Sequence, residues 1–428
     1  MAGGTRGTGG LRVALVCPYS LSRPGGVQGQ VLGLARGLAD RGHAVTVFAP
    51  VDGDVAPPDG VELVVTGHST ALPANGSVAP VSVSPRAARR ALGELRARTP
   101  DVVHVHEPFA PGMTYALLAA RGVPPIVATF HRSGGSALYT LLRPLARRMA
   151  GHLAVRTAVS EAAAATAHHA LGGQYDVLFN GVEVDRFVGV APWPTSGPTV
   201  LFLGRHEERK GLGVLLDAWR LLADAGDTGS DTGSDTGVAD GATDGDVDPA
   251  GARSVRPPVL WLAGDGPETA ALRRRSPDSE TVRWLGVVDE EEKIRRLVGA
   301  DVVAAPALGG ESFGLVLLEG MAARAVVVAS DIDGYRDAAG GRAVLVPPGD
   351  APALATALRG VLDGRLARGA DGVHGAGGRG GDEDEGGEGS SRAAWLDAGA
   401  ERARQWSMAT LAERYEDLYR GVVVGRLP

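Results

Sequence analysis

The 428-residue sequence has one cysteine, few aromatic residues and no long apolar run. The single Cys17 excludes an intrachain disulfide and favours a reducing compartment. No apolar stretch approaches the ~18 residues that a membrane-spanning helix needs. The Gly- and Thr-rich first ten residues lack the apolar segment of a secretory signal. Together these absences predict a cytoplasmic protein with no spanning segment.

Negative charge is concentrated in two low-complexity segments. The formal net charge is −7, but seven Asp lie between 227 and 248 and five acidic residues lie between 382 and 388. Without these twelve residues the chain carries +5, so the folded part is predicted to be mildly basic, which suits an anionic substrate or surface. We expect no nucleic-acid partner. The wider segments 227–252 and 369–391 lack apolar periodicity and are predicted to be disordered inserts.

Short apolar runs alternate with helical patterns in both halves of the chain. Runs typical of buried strands occur at 11–17, 44–48, 102–105, 126–129, 152–158, 199–203, 259–262, 282–285, 302–305 and 325–329. Such alternation predicts parallel sheets covered by helices on both faces. We therefore predict two Rossmann-like domains, 11–188 and 198–400, which face a shared cleft at the carboxyl ends of their strands. Residues 401–428 predict a C-terminal helix.

The segment from Gly309 to Glu319 carries the strongest chemical signal. Its glycines permit close backbone approach, and a helix is predicted to begin near Ser312, where unpaired N–H groups and the positive dipole end suit a diphosphate. Glu311 would then stand at the helix start and Glu319 about two turns later, roughly 12 Å along the axis. The spacing places one acid at each end of a nucleotide-sugar. Taken alone, an N-terminal helix acid and a solvated charge explain the pair equally well.

Cations follow the strand at 199–203. In the segment 204–211, Arg205 can bind two phosphate oxygens and Lys210 supplies a point charge, so the pair can neutralise a departing diphosphate without a metal. By itself such a loop is more often merely solvated.

Two further features lie in the first half. A glycine loop at 24–28 follows the first strand, and His131 ends the strand at 126–129, where its imidazole could bond a sugar hydroxyl. His104 and His106 share a strand face, but no third ligand is evident, and we predict no metal site.

These motifs resemble glycosyltransferase family 4, a retaining family with the GT-B fold, and most closely its actinobacterial phosphatidylinositol mannosyltransferases. The interval between Glu311 and Glu319 is the family signature, and residues 17–28 resemble the opening of those mannosyltransferases. The resemblance extends from Leu11 to the last helix, apart from the inserts. It implies a GT-B fold whose C-terminal helix returns to the N-terminal domain.

The resemblance also implies a donor site for GDP-mannose, mainly in the second half. The catalytic residues that it implies are His131, Arg205, Lys210 and Glu311. The donor contacts that it implies are Gly26, Arg205, Arg209, Lys210, Val288, Asp289, Lys293, Glu311, Ser312, Phe313, Gly314, Leu315 and Glu319. No tightly bound cofactor is implied, and Mg²⁺ is compatible with the reaction but not required.

On the acceptor side the resemblance implies contacts from Tyr19, Gln28, Asn75 and Ser77. The family has an aromatic residue and a basic residue where this sequence has Ala74 and Pro80. It also has a basic helix that meets the membrane. Here that helix carries Arg86, Arg89 and Arg90, with Ala88, Ala91, Leu92 and Leu95 on a weakly apolar face. From composition alone, a solvated Arg-rich helix is an equal explanation.

The sequence therefore predicts a retaining mannosyltransferase that uses GDP-mannose to glycosylate the inositol ring of phosphatidylinositol, peripherally on the inner face of the plasma membrane. A family 4 enzyme with another donor, or with a soluble acceptor such as inositol phosphate or a glycan, remains an alternative. So do a sugar-nucleotide epimerase and a non-catalytic nucleotide- or lipid-binding protein of the same fold.

Overall fold

In the computed structural model, residues 9–23, 25–74, 77–132, 143–227, 256–311, 313–364 and 388–425 are described. Asn75, Ser312 and most of both predicted inserts lie outside these ranges.

The first lobe is built on a seven-stranded parallel sheet in the order β3-β2-β1-β6-β7-β8-β9, with a separate antiparallel hairpin, β4-β5. Its strands are β1 (Arg12–Val16), β2 (Ala44–Ala49), β3 (Val61–Val65), β4 (Thr70–Ala74), β5 (Ser77–Val81), β6 (Val102–His106), β7 (Ile126–Phe130), β8 (Leu153–Ala158) and β9 (Asp176–Val177). Its helices are α1 (Gly26–Asp40), α2 (Pro85–Arg98), α3 (Met113–Ala119), α4 (Arg143–Ala150) and α5 (Glu161–Leu171).

The second lobe is built on a six-stranded parallel sheet in the order β12-β11-β10-β13-β14-β15. Its strands are β10 (Thr199–Leu203), β11 (Val259–Ala263), β12 (Val282–Gly286), β13 (Val302–Ala305), β14 (Val326–Ser330) and β15 (Val344–Val346). Its helices are α6 (Leu212–Asp227), α7 (Thr269–Arg275), α8 (Glu290–Gly299), α9 (Leu315–Ala322), α10 (Asp333–Ala339) and α11 (Ala351–Leu362).

The central strands of each sheet are mainly apolar because both faces of the sheet are covered. In β1, Val13 and Leu15 join a core with α1, whereas Ala14 and Val16 face a second core shared with α2 and α3. The same alternation divides the second sheet between two cores. The predicted parallel, doubly covered sheets are therefore confirmed.

The C-terminal segment is two helices and not one. Helix α12 (Glu388–Gln405) packs on α9 of the second lobe, and α13 (Met408–Val423) packs on α1 of the first. The prediction of a continuous helical stretch through Trp406 is wrong: Ser407 caps α13, and the backbone of Val182 bonds to both Trp406 and Met408, which fixes the break. Helix α12 also includes 388–391, which the sequence assigned to an insert.

Helix α13 lies close against α1 because α1 has glycines on that side. A Cβ at Gly37 would stand 2.9 Å from the Cβ of Ala412, so a larger residue would push the helices apart. The return of the chain to the first lobe, expected of the GT-B fold, is thereby confirmed.

Segments that follow the carboxyl ends of strands in both sheets line a cavity of about 360 Å³. Ser160 and Phe179 line it from the first lobe, and Phe313 and Asp337 line it from the second. The two lobes thus meet where open parallel sheets bind ligands.

Candidate functional site

A charged cluster follows strand β10 and includes the loop after β13. Glu207 binds the Nε atoms of Arg205 and Arg209 at 3.1 and 3.0 Å. Glu311 binds Arg209 Nη1 at 2.5 Å and Lys210 Nζ at 2.8 Å. Three cations thus face two carboxylates, which leaves a net positive charge suited to a diphosphate.

The sequence reasoning did not identify Glu207. Its side chain is 8% exposed, and it bridges Arg205 and Arg209, which are 52% and 37% exposed. A buried carboxylate between two partly exposed arginines fixes where their guanidinium groups point. The mixture of acids and cations within 205–210 was the signal in the sequence, because neighbouring residues of opposite charge can form ion pairs with one another.

The loop before α9 departs from the prediction. The helix begins at Leu315 and not near Ser312, because Gly314 takes a left-handed conformation (φ 83°) as its N-cap. Tyr335 presses on this glycine, and a Cβ there would stand 2.6 Å from the ring. Glu311 therefore lies in the loop, and Glu319 lies about one turn into α9 rather than two turns from Glu311.

Phe313 was predicted to contact the donor, but its ring is 3% exposed. It stacks on Trp406 with 5.0 Å between ring centroids, and Trp406 lies 4.8 Å from Phe179 of the first lobe. The ring of Phe313 therefore supports the lobe interface.

A second ion-pair group joins α8 and α9. Lys293 Nζ lies 3.2 Å from Glu319 and 3.0 Å from Glu290. Burial opposes the charged form of Lys293, but these two carboxylates outweigh it and raise its pKa. Asp289 caps α8 by accepting from the N–H of Glu292, and Val288 precedes it, half-buried.

On the first lobe, the N-terminus of α1 is open. Within the part of the chain that the structure describes, no side chain caps it, no acid lies in its first turn, and no atom stands within 4 Å of a Cβ built at Gly26. The positive end of this helix can therefore approach an anionic group. Gln28 is buried and donates to the carbonyls of Ser20 and Arg23, so its amide holds the preceding loop.

The predicted acceptor residues are only partly described. Tyr19 pairs with Val81, and burial, together with the nearby Glu107 carboxylate, raises the pKa of its phenol. Ser77 opens β5 opposite Ala74, and Asn75 lies outside the described residues.

His131 lies at the end of β7 beside a buried polar cluster. Its Nε2 lies 2.8 Å from Nδ1 of His106, and its backbone N–H donates to Glu107. Burial lowers the pKa of His131 to about 3, so the imidazole is neutral at ordinary pH. Among the described residues, no three His, Cys, Asp or Glu side chains form a metal-binding group.

Helix α2 presents three arginines to solvent. Arg86, Arg89 and Arg90, here termed the arginine face, are exposed and make no ion pair within the described residues. The apolar face predicted to lie on lipid does not do so: Ala88, Ala91 and Leu95 are buried against the first lobe's core. Helix α2 can therefore interact with a surface through its charged side chains.

Helix α4 carries a basic surface that the sequence reasoning missed. Arg147 and Arg148 are exposed and Leu145 is 53% exposed, while Ala146 and Met149 are buried. Both α2 and α4 contact α3, so the two basic surfaces lie on the same side of the first sheet. No helix in the described ranges is long and apolar enough to span a membrane.

Comparison with known proteins defines the class first. Residues 24–186 match the model of Glycosyltransferase Family 4, and residues 250–364 match that of Glycosyl transferases group 1. A sucrose-phosphate synthase from Thermosynechococcus elongatus superposes with a TM-score of 0.66 at 17% identity, covering 97% of this chain and 100% of its own. The fold and the match make the protein a GT-B glycosyltransferase of family 4.

Comparison with individual relatives then identifies the family within this class. A phosphatidyl-myo-inositol mannosyltransferase from Mycolicibacterium smegmatis is 39% identical over 385 residues, covering 85% of this chain and 89% of its own. Another from Propionibacterium freudenreichii subsp. shermanii is 35% identical, covering 76% and 79%. The chain belongs to the phosphatidyl-myo-inositol mannosyltransferase family. The resemblance stated from the motifs is therefore confirmed.

Proposed function

We propose that this protein transfers mannose from GDP-mannose to the inositol ring of phosphatidylinositol, with retention of anomeric configuration. The observation that carries the proposal is the charge cluster of Arg205, Arg209, Lys210 and Glu311. The chain that holds it is 39% identical to a phosphatidyl-myo-inositol mannosyltransferase. The cluster supplies the electrostatics that the departure of a diphosphate requires.

In the reaction, the bond between the anomeric carbon and the diphosphate oxygen breaks, and negative charge develops on that oxygen. Arg205 and Lys210 stabilise this charge, and the open N-terminus of α1 at Gly26 adds its dipole. An inositol hydroxyl attacks from the same face, and its proton passes to the departing diphosphate. We assign no side chain as covalent nucleophile.

We assign the remaining donor contacts from the places of the residues in the fold. Lys293 and Glu319 lie on α8 and α9, and we assign them to the ribose and base of the nucleotide. Glu311 and the backbone at Phe313 and Gly314 are assigned to the sugar and phosphates. His131 is assigned a hydrogen bond to a substrate hydroxyl from the other lobe.

We place the reaction at the inner face of the cytoplasmic membrane. The arginine face of α2 is exposed and unpaired within the described part of the chain, and such cations are attracted to anionic lipid. Because the apolar face of α2 is buried, we propose electrostatic attachment without deep insertion of this helix.

The decisive assay measures mannolipid formation and GDP release with vesicles that contain phosphatidylinositol. GDP-mannose should give a product that retains the donor's anomeric configuration, and UDP-sugars should not. Release of GDP without mannolipid, or transfer only to inositol phosphate or a glycan, would replace the lipid acceptor with a soluble one. That alternative is supported by Ala74 and Pro80, which depart from the family pattern on the acceptor side. Binding of GDP-mannose without any turnover would indicate a non-catalytic protein.

A further inference from the structure

Two further histidines are buried behind His131. His104, His106 and His131 lie on or at the ends of β6 and β7, with exposed fractions of 0%, 2% and 8%. The ring centroids of His104 and His106 are 4.3 Å apart, and those of His106 and His131 are 5.1 Å apart. Three imidazoles thus form a short row from the core to the cleft.

The hydrogen bonds of His104 are complete. Its Nδ1 lies 2.6 Å from the hydroxyl of Tyr419, and its Nε2 lies 2.6 Å from the hydroxyl of Thr129. Thr129 in turn bonds to Thr157 and Tyr415. Because both ring nitrogens are occupied, His104 packs against His106 without bonding to it.

Within the described residues, the side chain of His106 has a single hydrogen bond. Its Nδ1 lies 2.8 Å from Nε2 of His131, while its own Nε2 is buried and has no partner in that part of the chain. Burial and the neighbouring histidines lower the pKa of His106 well below its usual value, so the ring holds one proton. That proton sits either on the bonded Nδ1 or on the unpartnered Nε2.

The two tautomers of His106 differ in whether the unpartnered Nε2 carries a proton. A proton on Nε2 would leave a buried N–H donor without an acceptor, and such orphaned donors are rarer than under-satisfied acceptors. A proton on Nδ1 donates to His131 and leaves only a bare lone pair unpartnered. The second arrangement is therefore favoured.

We propose that His106 is a positioning residue that donates its Nδ1–H to Nε2 of His131 and thereby holds His131 as the tautomer protonated on Nδ1. The inference deepens the proposed function and rests on it for the role of His131. Nδ1 of His131 has no partner among the described residues, and we assign its N–H to a substrate oxygen. His131 then acts as a hydrogen-bond donor to a hydroxyl or phosphate oxygen and does not remove a proton through that nitrogen.

The direct test is ¹⁵N NMR of the full-length protein labelled at histidine. The resonances of His131 are assigned by their loss in His131→Asn. We expect Nδ1 of His131 to show the shift of a protonated nitrogen and Nε2 that of an unprotonated one. Protonation of His131 on Nε2 would overturn the proposal. This readout needs no mannosyl transfer.

Two variants test the consequence for turnover. His106→Asn keeps an N–H where Nδ1 stands, whereas His106→Leu removes it with little change in volume. By analogy with the orienting partners of metal-bound histidines, loss of the donor should reduce kcat by about 10- to 100-fold. His106→Leu should show that loss and a mixed His131 tautomer, His106→Asn should recover most of the activity, and both should bind GDP like wild type.

The outcomes are distinguishable. Wild-type kcat and an unchanged His131 tautomer in His106→Leu would refute the positioning role. If His106→Leu does not fold, as judged by thermal unfolding, the wild-type NMR result and His106→Asn still decide. If the wild type transfers no mannose but shows the expected tautomer, the proposed function fails and the tautomer assignment stands.

Discussion

Removal of the ammonium group of Lys210 should slow turnover sharply. Lys210→Met keeps most of the apolar stem and deletes the charge that lies 2.8 Å from Glu311. The side chain is 22% exposed, so water screens this charge only partly. The departing diphosphate would then lose one of its cations, and Glu311 would keep Arg209 alone.

The magnitude follows from simple electrostatics. Two unit charges about 4 Å apart interact by about 4 kcal/mol at an effective dielectric constant of 20. Removal of one contact to a developing oxyanion costs about 10²- to 10³-fold in kcat. We expect Lys210→Met to lie in that range. Arg205→Ala should cost less, about 10- to 100-fold, because the side chain of Arg205 is 52% exposed and therefore more strongly screened.

The assay is the initial rate of GDP release with phosphatidylinositol vesicles, accompanied by circular dichroism to verify folding. Lys210→Arg, which keeps the charge, should retain more activity than Lys210→Met. Arg274→Met on α7, exposed and without an ion pair in the described residues, is the matched control and should behave like wild type. Turnover of Lys210→Met and Arg205→Ala within threefold of wild type would refute the charge-cluster reasoning. If turnover stops after chelation and returns only with added metal, the claim that these side chains stabilise the departing diphosphate without a metal is refuted.

Three further outcomes are expected. Serine in place of all three residues of the arginine face should release the protein from anionic vesicles in co-sedimentation and leave GDP binding unchanged, since each Arg near such a surface contributes about 1 kcal/mol. Deletion of 228–248 and 369–387 should leave activity near normal, because the sequence predicts that both segments are inserts and a change in loop length costs only about 0.6 kcal/mol per doubling; a soluble, folded but inactive deletion variant would contradict this. Tyr419→Phe should lower the free energy of unfolding by about 1–3 kcal/mol in urea titration, because buried His104 loses its partner; an unchanged midpoint would argue against that bond.

The membrane prediction has its own control. Arg274→Ser together with Arg342→Ser removes two exposed charges that make no ion pair with any described residue of the second lobe, where no membrane contact is proposed. This variant should sediment with anionic vesicles like wild type. Added salt should weaken the binding of both proteins, since the attraction fades beyond about 10 Å at 0.1 M salt.

Most strands could be predicted because buried parallel strands are continuous apolar runs. The strands that were missed, β3, β4, β5, β9 and β15, give a weaker signal. In β3 only Val61 and Val64 are buried, β15 has three residues of which only Val346 is buried, β9 has two residues, and β4 and β5 each contain a proline. A continuous apolar run predicts a strand that is buried on both faces, and these segments are too short or too little buried to produce one.

The site was predicted less completely. The identities of the cations and acids in 204–211 and 309–319 could be read directly, but their pairing could not. Glu207 pairs with Arg205 and Arg209 within one loop. Glu311 pairs with Arg209 and Lys210 only once the loops after β10 and β13 are brought together. The start of α9 was misplaced because Gly314 takes a left-handed conformation, at a position where the ring of Tyr335, 21 residues further along the chain, leaves no room for a Cβ.

By itself, the sequence determined the two parallel-sheet lobes, their order and the chemical groups at the ends of their strands. These properties depend on apolar periodicity and residue type, which act locally. The tertiary structure alone decided that the C-terminal segment breaks at Trp406, that the apolar face of α2 is buried, and that His106 meets His131. Each depends on contacts between residues distant in sequence, whose geometry arises only when the sheets and helices pack.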